Sequence, residues 1–144
     1  MGPRERLRSL FSIRESPHKI AASFAVGTFI GISPLFGVHT LLGIVFCYAL
    51  RLNMIATMTG VYITNPWTMI PIYTFTTWVG TKLMGIEFIR SDLNFSGLTW
   101  GNVFSELKHL VKPFFLGSFL IAFIASLILY FLIHRVAKKV QSEK

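Results

Sequence analysis

Charge is scarce in this sequence. Only 14% of its 144 residues are Asp, Glu, Lys or Arg, against roughly 25% in ordinary soluble domains. Residues 20–50, 52–81 and 113–134 contain none at all, and the six acidic residues lie outside all three runs. No paired carboxylates for general acid–base work can therefore form within them. Cysteine is limited to Cys47, set among apolar neighbours, which excludes an intrachain disulfide. The four histidines, at 18, 39, 109 and 134, share no metal-ligand spacing. Neither a glycine-rich phosphate loop nor a nucleophile elbow is present. The expectation is a protein that is not an enzyme and needs no metal or cofactor.

What is there instead is apolar sequence in lengths that suit a bilayer. A membrane helix needs about 20 predominantly apolar residues, and the three uncharged runs hold 31, 30 and 22. A soluble domain of this size lacks the polar surface to enclose them. The net charge of +8 follows the same plan. Five of the 14 basic residues fall in the first 19 positions, and Arg135, Lys138 and Lys139 follow the last run. Such flanks are retained on the cytoplasmic side, so both termini are expected to be cytoplasmic, in a multi-pass protein of the cytoplasmic membrane. Nucleic acid is not an expected partner, because the bases do not interleave with aromatics on a polar surface.

Both long runs are interrupted near their centres. Ser33-Pro34-Leu35-Phe36-Gly37 divides the first: Pro34 biases Ser33 away from helix, and Gly37 permits a positive φ. Thr64-Asn65-Pro66-Trp67-Thr68-Met69-Ile70-Pro71 divides the second. Pro34 and Pro66 are 32 positions apart, and a base follows each break, Arg51 and Lys82. Paired, similarly broken segments point to an internally repeated site. The expected fold is an all-α integral membrane protein with two Pro/Gly-broken, re-entrant-like hairpins (20–50 and 52–81) and a C-terminal transmembrane helix (113–134). Helix breaks are expected at Pro34, Gly37, Pro66 and Pro71. Residues 1–16 read as a basic segment able to form an interfacial amphipathic helix, and 17–134 as one membrane domain. Within it, 82–112 reads as an extramembrane loop; 135–144 is a basic cytoplasmic tail.

The polar residues embedded in this apolar background gather at the breaks and at the elbow between the runs. Ser33, His39, Thr40, Arg51, Asn53, Asn65 and Thr68 are the candidate ligand-binding residues, with Thr64 beside them. Polar groups at membrane depth are costly and face a protein interior or a watery cavity. Singly, each has a plainer role: Thr64 and Asn65 as caps, His39 in packing, Arg51 snorkelling to the interface. Gly27 and Gly31 form a GxxxG, read as helix packing.

The combination Gly27-x-x-x-Gly31-x-Ser33-Pro34-Leu35-x-Gly37-x-His39-Thr40, then Arg51-Leu52-Asn53, then Thr64-Asn65-Pro66-x-Thr68-x-x-Pro71 resembles the family of domain of unknown function 2062. The resemblance implies a bacterial membrane protein, and it extends over residues 17–134. Some relatives look fused to glycosyltransferases that use polyprenyl-phosphate sugars. By analogy that implies membrane lipids, polyprenyl phosphate among them, and an envelope-biosynthesis protein as partners. The leading expectation is a homo-oligomeric transporter or flippase for an anionic amphiphile such as a lipid phosphate, bound at a polar midplane site. The alternative is a non-catalytic scaffold for an envelope-assembly enzyme, and a weaker one is a small ion or solute pathway. Transport predicts a solvent-reaching groove at both breaks; scaffolding predicts sealed breaks with an exposed apolar patch elsewhere.

Overall fold

A computed structural model of the chain describes residues 15–35, 37–86 and 99–143. They form five helices: α1 (Pro17–Ile32), α2 (His39–Ala49), α3 (Met54–Val61), α4 (Pro66–Met84) and α5 (Trp100–Ser142). No strand occurs among the described residues.

The helix starts are written in the sequence. At α1 the Ser16 hydroxyl accepts from the Lys19 N–H at 3.2 Å, with Pro17 in the first turn. Asn53 caps α3 through Ala56 N–H. Asn65 caps α4 with a reciprocal box: its side chain accepts from the Trp67 and Thr68 N–H groups, and the Thr68 hydroxyl accepts from the Asn65 N–H.

α1 is the central element, packed on α2, α3 and α5. Its buried residues, among them Ala21, Gly27, Thr28, Ile30 and Ile32, accordingly leave no single polar stripe. Hydroxyls survive in this setting by bonding back one turn. Ser23 donates to the Lys19 carbonyl, Thr28 to Phe24 and Ser33 to Phe29.

α1 and α3 lie side by side in the same direction, at a constant offset of thirty residues. Ser23 accepts from the Asn53 N–H, Gly27 faces Thr57, and Gly31 faces Val61. A Cβ on Gly27 would sit 2.0 Å from the Thr57 carbonyl oxygen, and one on Gly60 2.4 Å from that of Phe24. Only glycine permits backbones this close.

α5 runs antiparallel to α1. His18 meets the Tyr130 hydroxyl at 2.6 Å near one end, and Phe29 packs 6.2 Å from Phe119 near the other. α4 packs on a separate stretch of α5, again antiparallel. Thr76 and Ser118 share a hydroxyl bond of 2.9 Å, and Gly80 lies against Pro113. The legs of the second run thus pack on different partners, α3 on α1 and α4 on α5. That corrects the second hairpin: burying α4 against the glycine-bearing face of α5 outweighs folding it back on α3.

The breaks at Pro34, Gly37 and Pro66 are present. Pro34 lies between α1 and α2, Gly37 has φ +78°, and Pro66 opens α4 after the turn at residues 62–65. The break assigned to Pro71 is absent, because α4 continues through it. Pro71 loses one backbone bond near the helix start, and the packing of Tyr73, Thr76 and Gly80 holds the helix together. The last helix is likewise longer than its apolar core. Pro113 lies inside α5 rather than at its start, residues 100–112 of the expected loop are helical, and so is the tail through Ser142. Residues 87–98 of that loop, and residues 1–14 of the N-terminal segment, lie outside the described residues.

Among the described residues one helical stretch, Lys108–Ser142, is long and apolar enough to cross a membrane. Only 17% of its most apolar window is buried, whereas the core helix of a soluble protein is mostly covered. Tyr48, Trp67, Ile70 and Trp100 are also largely exposed.

Candidate functional site

The candidate residues separate into two groups. The first surrounds the breaks. The Ser33 carbonyl accepts from His39 Nε2 and from the Tyr73 hydroxyl, each at 3.3 Å. Thr64 donates its hydroxyl to the Gly31 carbonyl, tying one break to the other. Thr68 donates to the Ile63 carbonyl at 2.7 Å, and Asn65 is engaged in its cap. Ser33 is fully buried and bonded to Phe29. Thr40 is exposed in the first turn of α2. Thr40 apart, these polar groups hold the interrupted backbone together by bonding to one another and to nearby carbonyls.

The second group sits at the opposite end of α1. Asn53 donates from Nδ2 to Glu15 at 2.7 Å while its own N–H reaches Ser23 at 2.8 Å. Lys19 pairs with Glu15 at 2.8 Å, and Gln141 near the end of α5 donates to the Glu15 carbonyl. The bond from Lys19 holds the Glu15 carboxyl below its ordinary value, helped by Asn53 and opposed by partial burial. This knot joins the starts of α1 and α3 to the end of α5. Ser23 and Ser33 are ten residues apart on α1, about 15 Å at 1.5 Å per residue. Asn53 is therefore not gathered with His39 and Asn65 around one midplane cavity, and the single polar site of the sequence reading is corrected to two separated clusters. Alternating polar and apolar positions could not reveal this, because which end of a helix meets which is a matter of chain direction.

Arg51 stands apart from both bonding networks. It occupies the turn between α2 and α3 with φ +51°, a left-handed conformation that costs a non-glycine residue roughly 1–2 kcal/mol. Its side chain is exposed, two residues from the Asn53 knot. The end of the molecule where that knot lies also carries Arg135, Lys138 and Lys139 in the last turns of α5.

A third feature was not anticipated. A cleft of about 390 Å³ opens between α1, α2 and α5. Its walls are Ala25, Val26, Phe29 and Ile30 on α1, Leu42 and Phe46 on α2, and Phe123 on α5, with Leu50 at the end of α2. Leu42, Phe46 and Leu50 recur at four-residue spacing, the signal that could have found it. Tyr73 and Glu15 were also missed; the i,i+4 pairing of Glu15 with Lys19 is visible in the sequence.

Among the described residues, no group of three His, Cys, Asp or Glu side chains could hold a metal ion. Neither a curated protein nor a solved structure matches the chain. A family model described as an uncharacterized protein conserved in bacteria matches residues 3–144. With nearly its whole length matched, and with both proline-centred breaks where the motif puts them, the chain belongs to the DUF2062 family.

Proposed function

We propose that this protein is a multi-pass protein of the bacterial cytoplasmic membrane that binds an anionic amphiphile, such as a lipid phosphate, and carries it across the bilayer. The observation that carries the reading is Arg51. It is the only formal charge between residues 20 and 81, and it keeps a costly left-handed backbone with its guanidinium exposed at the basic end of the molecule. A planar, five-donor guanidinium suits a phosphate better than an ammonium does. The exposed apolar length of α5 supports membrane embedding.

The test is thermal stability in detergent, with phosphatidic acid or phosphatidylcholine added. The parent protein is expected to be stabilised by phosphatidic acid alone. Arg51→Lys and Arg51→Gln are expected to keep parental stability without lipid and to lose that shift. Retention of the full shift by Arg51→Lys refutes the phosphate-receptor role. Loss of stability in both variants without lipid makes Arg51 a structural anchor.

A second reading, a non-catalytic scaffold for an envelope-assembly enzyme, is favoured by one observation. The polar groups at both breaks are engaged in bonds within the protein, while Trp67 and Ile70 stand exposed at the start of α4. Vesicles holding the protein and a fluorescent phosphatidic acid separate the two. Carriage predicts faster loss of inner-leaflet fluorophore to an external quencher, and scaffolding predicts binding without that acceleration.

A further inference from the structure

We propose that the cleft between α1, α2 and α5 is the seat of the hydrocarbon tail of the anionic lipid, with its headgroup at the Arg51 end. The inference rests on the reading above, and it specifies which part of the molecule takes which part of the ligand.

The walls settle the chemistry of the occupant. Eleven of the described residues line the cleft, and the only polar side chains among these are Ser33 and Ser126. Both hydroxyls are spent on their own helices, Ser33 donating to the Phe29 carbonyl at 2.6 Å and Ser126 to that of Phe123 at 2.8 Å. Among the described residues no charged side chain lines the space. An ion would find no ligands there, and water would lack the two to four polar partners that hold it in a cavity. A polar solute is disfavoured for the same reason. Hydrocarbon meets no such penalty, and 390 Å³ lies within the usual range of ligand pockets. The cleft is open at its side, where Phe46, Leu50 and Phe123 remain about half exposed. A chain can therefore enter laterally from the surrounding lipid.

Charge fixes the orientation. The apolar stripe of α2 ends at Leu50, and the next residue is the exposed Arg51. The nearby carboxylate of Glu15 is already engaged by Lys19 and Asn53. At the other end of the cleft wall the Ser33 carbonyl is occupied by His39 and Tyr73, and the described lining residues offer no cation to a phosphate there. An anionic head with an apolar tail thus fits in one direction only.

The experiment uses the full chain in nanodiscs of phosphatidylcholine with a trace of phosphatidic acid bearing a photoreactive diazirine on its acyl tail. Crosslinked peptides are mapped by mass spectrometry. Labelling is expected on the segments carrying Ala25–Ile30, Phe46 and Phe123. Ala25→Phe, which fills the cleft from α1, and Leu42→Trp, which fills it from α2, should each reduce that labelling at least fivefold. Leu127→Phe, on an exposed part of α5 outside the cleft, should leave it unchanged. Melting curves confirm that each variant is folded, and the two fillers serve as checks on one another. If both folded fillers label like the parent while Arg51→Gln lowers labelling, the headgroup reading stands and the tail site is wrong. If the fillers abolish labelling but Arg51→Gln does not, the tail site stands and the headgroup reading fails. Equal labelling by a diazirine phosphatidylcholine shows annular lipid only and overturns the proposal. So does protein–protein crosslinking through the cleft, which would make it an interface between two copies.

Discussion

The contact between α4 and α5 can be tested with one methyl group. Gly117→Ala places a Cβ 1.8 Å from the Thr76 carbonyl oxygen and 2.8 Å from the Gly80 nitrogen. Carbon and carbonyl oxygen approach no closer than about 3.3 Å, so the two helices must part locally by roughly 1.5 Å. No rotamer change relieves this, because the opposing atoms are backbone. The separation also strains the neighbouring Thr76–Ser118 hydroxyl bond of 2.9 Å. Overpacking of this kind costs about 1–3 kcal/mol, and the lost bond about 0.5–1.5 kcal/mol. Against that, alanine gains up to ~1 kcal/mol of helix propensity over glycine. The balance is a destabilisation of about 1–3 kcal/mol, or a melting temperature lower by roughly 3–10 °C for a chain of this size. Gly80→Ala, whose Cβ would lie 1.8 Å from the Pro113 carbonyl oxygen, should behave alike. Gly101→Ala is the control of opposite sign. It sits in α5 with no atom of the described residues near the added methyl, so it should hold or raise stability. The assay is thermal unfolding of the purified protein in mild detergent. If Gly117→Ala and Gly80→Ala both melt within about 1 °C of the parent, α4 does not rest on α5 through these glycines.

Four further outcomes are expected. Glu15 has a carboxyl depressed below its ordinary value of 4.5, so the stability it lends is present at neutral pH and is lost as pH falls through the lowered folded-state value. Glu15→Gln should accordingly show a shallower loss of melting temperature between neutral pH and the acid limb. Asn53→Ala removes a helix cap together with the bond to Glu15 and should cost about 1–2 kcal/mol, read by the same melt. Arg51→Gly relieves a left-handed residue and should raise stability by up to ~1 kcal/mol while abolishing the shift produced by phosphatidic acid; lower stability would assign Arg51 a structural bond instead. In a Cys47→Ala background, Lys139→Cys should resist an impermeant thiol reagent in intact cells and Asn94→Cys should react, and the reverse pattern would invert the proposed orientation.

Much of the local architecture is decided by the sequence alone. Pro34 and Pro66 break helices because a proline restricts the residue before it and cannot donate a backbone bond. Asn53 and Asn65 cap because a short side chain can accept from the next turn. Gly27 and Gly31 promise a close helix contact, although not which helix supplies it. Tertiary structure decided the rest. Pro71 and Pro113 carry the same restriction as Pro34, yet α4 and α5 run through them, since packing along the flanking turns outweighs one missing bond. The separation of Asn53 from His39 by much of the length of α1 follows from α3 lying parallel to α1, which residue spacing cannot encode. The cleft is likewise invisible in one dimension. Its walls come from helices as far apart as Ala25 and Ser126, and a stripe such as Leu42, Phe46 and Leu50 reads the same whether it meets a neighbouring helix or an open groove.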